Sequence, residues 1–241
     1  IGAYEVEPGG KKITFIDTPG HEAFSLMRAR GAAAADIAIL VVAADDGVKP
    51  QTKEAIQILT KTKTPFIVAI TKIDSPGANI DKVKNELLNE EVLLEGYGGA
   101  VSWHGVSGKT GEGVPDLLEL ILLTGEVAGL TFDKEAKASG FVIESKMDNR
   151  RGVVAHIVLK DGILHYGDPI FTPTTSGKVK ILENFLGRPV KEILPSAPAL
   201  IVGFDSLPQI GETFKTSNSP IETKIKISAS SPLSKKENLI K

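Results

Sequence analysis

The first half of this chain alternates apolar runs with amphipathic stretches, and that alternation restricts the fold more than any other feature. Three continuous apolar runs, at residues 37–43, 66–70 and, more weakly, 100–106, have the length of strands buried on both faces. Apolar side chains recur at helical spacing in 51–62, 79–87 and 113–122, and we expect Asn79 to cap the second of these helices. The order predicts a doubly wound, mostly parallel α/β sheet with right-handed crossovers and helices on both faces.

Two further β patterns flank this region. Residues 2–6 and 12–16 surround the turn sequence E-P-G-G and predict an antiparallel hairpin. From about residue 139, short β-rich segments separated by glycine, proline and aspartate predict a small antiparallel barrel; they are 140–146, 153–159, 169–171, 178–182 and 199–204. We expect an α/β domain at 1–127, a linker at 128–138, the barrel at 139–216, and a tail at 217–241 that is poorly ordered or begins a further element.

Composition excludes several classes of function. The 241 residues carry a formal net charge of −2, so a broad cationic nucleic-acid surface is not expected. Without cysteine there is no disulfide framework, thiolate metal site or thiol nucleophile. The longest apolar run is far shorter than the ~20 residues of a spanning helix. We expect no membrane partner, a cytoplasmic location and a monomer. The chain opens at Ile1 rather than methionine, so we expect a fragment.

One motif follows the strand at 13–16 and suits the phosphate end of a nucleoside triphosphate. Asp17 stands where a carboxylate would hold Mg²⁺, although a helix-capping aspartate would look the same. It is followed by Thr18, Pro19 and Gly20, and the glycine lets its backbone amide approach a terminal phosphate. His21 could orient the attacking water, or could be an ordinary surface histidine.

Two more motifs suit the purine base. Asp74 can accept charge-assisted hydrogen bonds from the ring N–H and amine of guanine, and adenine offers no such donor pair. Lys72, next to Thr71 in T-K-I-D, can lay its methylenes along the base or can be a solvated surface lysine. In S-G-K, Ser107, Gly108 and Lys109 would turn amides toward the guanine carbonyl, and we expect Gly108 to permit the turn.

All three motifs follow predicted strands, so a parallel sheet would bring them to one edge although they lie up to ~90 residues apart. Asp45 and Asp46 follow another strand, and we interpret them as a polar turn without a catalytic role. Nowhere does the chain spell G-x-x-x-x-G-K-[ST], the loop whose amides cradle the remaining phosphates.

Together, D-T-P-G-H at 17–21, T-K-I-D and S-G-K look like a translational GTPase. The runs M-R-A-R-G at 27–31, A-A-D-D-G-V at 43–48 and P-G-A-N at 76–79 resemble, among these, the bacterial initiation factor two family. The resemblance covers about residues 1–214. It implies a GTPase-type sheet that lacks its first strand, followed by a barrel, with GTP, GDP and Mg²⁺ as ligands.

The resemblance also implies roles and partners. It implies Asp17 for Mg²⁺ through water, residues 18–20 as the switch beneath the γ-phosphate, and His21 for the hydrolytic water. Lys72 and Asp74 would bind guanine, and residues 107–109 its carbonyl. The implied partners are the small ribosomal subunit through the barrel and the large subunit for GTPase activation. Initiator tRNA would bind only through domains absent from this chain.

Three departures from the family leave alternatives open. Thr71 stands where the family has asparagine, and the chain contains neither the phosphate loop nor the tRNA-binding domain. The absent segment would include the central strand between those at 12–16 and 37–43, so we expect both to lack a shared neighbour. One alternative is a nucleotide-incompetent ribosome-docking module. Another is a translational GTPase of the elongation or selenocysteine type.

Overall fold

The computed structural model describes residues 2–18, 31–32, 34–133 and 135–216. The chain begins with the expected hairpin, in which β1 (Gly2–Val6) pairs antiparallel with β2 (Ile13–Asp17). A short 3₁₀ turn at Pro8–Gly10 joins the strands, with Gly9 and Gly10 at positive φ. The rings of Tyr4 and Phe15, which face each other across the pair, stack with their centroids 5.4 Å apart. The tail at 217–241 lies outside the described residues.

A parallel three-stranded sheet follows, as the sequence predicts. Its strands are β3 (Ala38–Ala43), β4 (Phe66–Thr71) and β5 (Trp103–Gly105), in the order β3-β4-β5. Ala38 lies opposite Phe66 and Ala43 opposite Thr71, so β3 and β4 end together. β5 is shorter than the apolar run at 100–106 suggests. The sheet's parallel direction requires a crossover between each pair of strands, which explains the helices between them.

The helices whose bounds fall within the described residues are α1 (Pro50–Thr62), α2 (Ile80–Asn89) and α3 (Val114–Val127). Proline occupies the first turn of α1 and α3, where the missing N–H costs no helical hydrogen bond. The side chain of Asn79 caps α2 by accepting a 2.9 Å hydrogen bond from the amide of Lys82, as expected. Val83 and Leu87 of α2 are fully buried in the same core cluster as Val68 and Ile70 of β4.

The second half closes into a six-stranded barrel in the order β10-β12-β7-β6-β13-β9. Its strands are β6 (Ser139–Asp148), β7 (Gly152–Asp161), β9 (Pro169–Phe171), β10 (Ser176–Asn184), β12 (Pro198–Phe204) and β13 (Thr213–Lys215). A separate pair, β8 (Leu164–His165) and β11 (Glu192–Ile193), lies beside it. The α/β sheet followed by an antiparallel barrel is confirmed. β8, β11 and β13, each of two or three residues, were not predicted.

Polar contacts join the two halves. Lys160 of β7 forms an ion pair with Asp36 and donates a 3.2 Å hydrogen bond to the carbonyl of Ala34. The hydroxyl of Thr14 in β2 donates to the carbonyl of Ser196. The barrel therefore packs against the hairpin and against the segment that leads into β3.

A large cavity separates the hairpin from the parallel sheet. β2 pairs only with β1, and β3 pairs only with β4, so within the described residues the facing edges of β2 and β3 have no strand between them. The cavity between them has a volume of about 1250 Å³ and is lined by both strands, α1, α3 and the barrel. Val41, in the middle of β3, is 57% exposed, whereas Val68 and Ile70 of the next strand are fully buried.

No helix in the described part of the chain is both long and apolar enough to cross a membrane.

Because unpaired strand edges leave amides open to solvent, we expect the α/β half of this chain to be less stable than its barrel. In hydrogen exchange followed by mass spectrometry, peptides from β2 and β3 should exchange at least about tenfold faster than those from β7. Peptides from β12 serve as the internal control. Equal protection of β3 and β7 would contradict this prediction.

Candidate functional site

The ends of the three parallel strands place three polar loops side by side. Ala43 lies opposite Thr71, and Ile70 lies opposite Gly105, so the loops that leave β3, β4 and β5 begin at the same edge. These loops carry the acidic pair Asp45–Asp46, the T-K-I-D segment and the S-G-K segment. The predicted convergence of the last two is confirmed by direct contacts between them.

Ser107 connects the two base-reading segments. Its side chain is fully buried, and its hydroxyl oxygen accepts hydrogen bonds from the amides of Lys109 (3.2 Å) and Thr110 (3.0 Å). The same hydroxyl forms a hydrogen bond with the carboxylate of Asp74, and this bond lowers the pKa of Asp74 from its ordinary value. The positive charge of Lys109 acts in the same direction. Asp74 therefore stays ionised below the pH at which a free aspartate protonates, with its outer edge open to solvent.

Backbone hydrogen bonds fix the S-G-K loop against the sheet. The amide of Val106 donates to the carbonyl of Ile70 (2.8 Å), and the amide of Ser107 donates to the carbonyl of Glu112 (2.9 Å). These bonds hold the buried hydroxyl of Ser107 at the end of β5. The loop therefore holds Ser107 in a supported position beside Asp74.

Gly108 does not have the role predicted for it. It lies outside the left-handed region, and a Cβ built on it would meet no atom within 4 Å, so the turn does not depend on a glycine there. The glycines at positive φ in this loop are Gly111, whose amide donates to the carbonyl of Ser107 (2.9 Å), and Gly113, whose ideal Cβ would lie only 2.1 Å from the carbonyl oxygen of Gly105. The prediction for Gly108 was wrong because the left-handed backbone comes three and five residues later.

Lys72 is held by the acidic pair, which sequence reasoning set aside as a polar turn. Its ammonium lies 3.1 and 3.3 Å from the two carboxylate oxygens of Asp45 and 3.3 Å from Asp46 Oδ2. Its backbone has a φ of 58°, in the left-handed region that side chains other than glycine seldom adopt. Hydrogen bonds to Asp45 and Asp46 raise the pKa of Lys72, and those from Lys72 lower the pKa of Asp46.

Thr71 ends β4 and joins it to β3 through the backbone. Its carbonyl accepts a 2.7 Å hydrogen bond from the amide of Ala44. The residue is half-buried and lines the cavity between β2 and β3. Thr71 therefore lies between the base-reading loops and the cavity.

The phosphate motif lies partly outside the described residues. Asp17 ends β2 with its side chain exposed, and Thr18 is half-buried; both line the same cavity as Thr71. Pro19, Gly20 and His21 fall outside the described part of the chain. Lys72, Asp74 and the S-G-K loop do not line the cavity.

Asp17 is the carboxylate of the predicted phosphate motif that would hold a magnesium ion. Among the described residues there is no cluster of three or more histidine or acidic side chains that could cage a metal. Mg²⁺ usually keeps several waters and takes only one or two carboxylates beside phosphate oxygens. The exposed Asp17 fits that chemistry, because a carboxylate at a strand end can reach a hydrated ion through water.

Comparison with known proteins agrees with this geometry. The family model described as the elongation factor Tu GTP binding domain matches residues 1–125, and that of elongation factor G domain 2 matches residues 137–217. With a parallel sheet whose strand ends carry T-K-I-D and S-G-K, followed by a closed barrel, the chain belongs to the translational GTPases.

Curated relatives narrow the assignment. The chain is 52% identical over 214 residues to translation initiation factor IF-2 of Anoxybacillus flavithermus, covering 89% of this chain and 30% of that protein. It is 50% identical over 224 residues to the IF-2 of Lachnoclostridium phytofermentans, covering 93% and 20%. Within the translational GTPases, the chain is thus a member of the initiation factor IF-2 family. It spans less than a third of the length of these relatives.

Solved structures show the same arrangement. GDP-bound aIF5B from Aeropyrum pernix aligns with a TM-score of 0.67 at 28% identity, covering 86% of this chain and 43% of that one. The elongation factor SelB from Methanococcus maripaludis with the GTP analogue GppNHp aligns with a TM-score of 0.69 at 26% identity, covering 89% and 48%. Both are translation factors crystallised with a guanine nucleotide or its analogue.

We expect Ser107→Ala to disturb the site in two measurable ways. Losing the hydroxyl leaves two loop amides without their acceptor, which should lower the free energy of unfolding by about 1–3 kcal/mol in urea titrations. Trp103, the single tryptophan, lies on β5 and reports the transition by fluorescence. The pKa of Asp74 should rise toward its ordinary value in carboxyl NMR titrations.

Ser102→Ala is the matched control, because that half-buried serine donates its hydroxyl to the exposed Glu95 and contacts neither base-reading segment. An unchanged pKa of Asp74 in Ser107→Ala would show that the hydroxyl does not stabilise its carboxylate.

Proposed function

We propose that this chain is the nucleotide-binding region and second domain of an initiation factor that binds and hydrolyses GTP. The pairing of the T-K-I-D and S-G-K segments at adjacent strand ends is the observation that carries the proposal: the amide of Ile73 donates a 3.4 Å hydrogen bond to the carbonyl of Val106, and Ser107 lowers the pKa of Asp74. It makes one site of two segments more than 30 residues apart. We retain the proposed domain bounds of 1–127 and 139–216, with the linker at 128–138.

Guanine would be selected by Asp74. Its carboxylate is kept ionised by Ser107 and Lys109, and only guanine offers it a ring N–H beside an amine. Adenine in the same position would present an acceptor to a carboxylate and be rejected. The stem of Lys72 would lie along the base, and the loop amides of Gly108 and Lys109 would face the guanine carbonyl.

Hydrolysis would use the motif after β2. Asp17 would bind Mg²⁺ through water, and the ion supplies charge neutralisation at the phosphates when bound. The residues from Thr18 to Gly20 would form the switch beneath the γ-phosphate. His21 would hold the attacking water in line with the bond that breaks, which is the positioning that phosphoryl transfer requires. Thr71 stands in place of asparagine and offers one hydrogen-bond donor instead of two. We therefore expect weaker hydrogen bonding within the site and unchanged selectivity for guanine.

The proposed partners follow from the family. The barrel would dock on the small ribosomal subunit, and the large subunit would stimulate hydrolysis while the factor promotes subunit joining in the cytoplasm. Initiator tRNA would be placed through regions other than residues 1–241. We propose that the factor acts as a monomer.

Two other functions remain as candidates. One is a nucleotide-incompetent docking module, in which the barrel is the working part; the closed barrel with a core of its own favours it. The likeness to SelB favours a factor of the elongation or selenocysteine type. Identity of about 50% to IF-2 proteins, against 26% to SelB, favours an initiation factor over a factor of the elongation or selenocysteine type.

The base-reading role is tested by Asp74→Asn in the full product of the gene. Without the charged acceptor, GTP should bind about ten- to a hundredfold more weakly, the range for hydrogen bonds to charged groups. The variant should gain affinity for xanthosine triphosphate, whose carbonyl suits the new amide. Binding is measured by calorimetry, with Asp81→Asn as the control. Unchanged GTP affinity would remove Asp74 from base recognition.

The hydrolytic role is tested by His21→Ala in the same protein. GTP binding should persist, because the imidazole is assigned to the water and not to the nucleotide. Ribosome-stimulated release of phosphate should fall at least about a hundredfold. Full turnover by this variant would exclude His21 from the mechanism. If the native protein binds the ribosome but shows no stimulated hydrolysis, the docking module is favoured.

A further inference from the structure

Lys72 is the cation of the predicted base-reading site whose side chain contacts the acidic pair Asp45–Asp46. Its side chain is about half exposed, and a long lysine side chain has many rotamers. A free lysine would lose part of that rotamer freedom each time it settled along a base. The two carboxylates beside it change this situation.

The ion pairs hold the end of the side chain and leave its stem free. Both oxygens of Asp45 and one oxygen of Asp46 lie 3.1 to 3.3 Å from the Lys72 ammonium. A base would contact the methylenes and not the ammonium. The carboxylates and a purine would therefore bind different parts of one side chain.

The acidic pair is itself fixed by the turn that carries it. The amide of Gly47 donates to the carbonyl of Ala43 (2.9 Å), and the amide of Val48 donates to Glu86 Oε2 of α2 (2.7 Å). Gly47 has a φ of +77°, and its ideal Cβ would lie 2.2 Å from the Glu86 carboxylate, so the turn fits closely against α2. The carboxylates thus sit on a supported turn.

Other contacts bind the same carboxylates without displacing Lys72. The hydroxyl of Ser75 lies 3.4 Å from Asp45 Oδ2, and the ammonium of Lys49 lies 3.5 Å from Asp46 Oδ1. Each carboxylate therefore has a second partner that restricts its own side chain. The cluster spans the loops after β3 and β4.

We propose that Asp45 and Asp46 are positioning residues that hold the Lys72 side chain in place for the guanine base. The inference rests on the proposed function, because it concerns the same base-reading site. It assigns the acidic pair a part in nucleotide affinity, acting through Lys72.

A double-mutant cycle in the full gene product tests this role. Asp45→Asn, Asp46→Asn and the pair together are compared in two backgrounds, with native Lys72 and with Lys72→Met, which keeps an apolar stem but has no ammonium. The expected result is GDP binding about two- to fivefold weaker for the combined variant with native Lys72, the size expected for exposed ion pairs. With Lys72→Met, the same replacements should have no further effect.

The controls separate positioning from stability. Glu119→Gln removes an exposed carboxylate from α3 and should leave GDP affinity unchanged. Urea unfolding followed by Trp103 fluorescence checks that each variant folds, and Asp45→Glu should restore part of the affinity because it keeps a carboxylate. Equal losses in both backgrounds, or no loss with native Lys72, would overturn the inference.

A nucleotide-independent measurement distinguishes the failure of this inference from the failure of the proposed function. The rate at which acetic anhydride modifies Lys72 should rise when both aspartates are replaced, while the rate at the exposed Lys61 should not change. If the protein with its native sequence binds no guanine nucleotide, the proposed function and the role of the aspartates in affinity are both overturned. An unchanged modification rate at Lys72 in a protein that does bind GDP would overturn the positioning role alone.

Discussion

The parallel pairing of three short strands is the constraint on which the candidate site depends. β3 and β4 end at the same level, and the end of β5 pairs with the end of β4. Three loops therefore leave the sheet at one edge. Each loop needs only one or two polar side chains to contact its neighbour. The Asp74–Ser107 bond and the ion pairs of Lys72 are consequences of that register, so a slip of one residue would face these groups in opposite directions.

The cavity beside β3 makes the two parts of the candidate site differ in their packing. Val68 and Ile70 of β4 and the interior of the barrel are fully buried. In contrast, β3 exposes Val41, and β2 and β3 each have an unpaired edge in the described structure. The base-reading loops lie at the well-packed side of the sheet, and Asp17, Thr18 and Thr71 line the cavity. The base and phosphate parts of the proposed site therefore differ in how well the surrounding protein supports them.

Most of the fold was readable from the sequence because its elements have strong local patterns. Continuous apolar runs gave β3 and β4, Asn79 marked the start of α2, and the E-P-G-G turn gave the first hairpin. The strands that were not predicted, such as Thr213–Lys215, have only two or three residues. They form because they pair with neighbouring strands as the barrel closes. Gly113, with its left-handed backbone, was missed for a similar reason, since its requirement arises from a contact with the Gly105 carbonyl.

The sequence by itself determined the order of elements and membership of a GTPase family, and it singled out Lys72, Asp74 and Ser107 as the predicted base-reading residues. It did so because strand periodicity and short motifs are local properties of a chain. Only the tertiary structure decided that Ser107 is buried and bonded to Asp74, and that Asp45 and Asp46 hold Lys72. Those contacts depend on the distance between strand ends more than 25 residues apart, which is fixed by sheet register and packing and not by any local pattern.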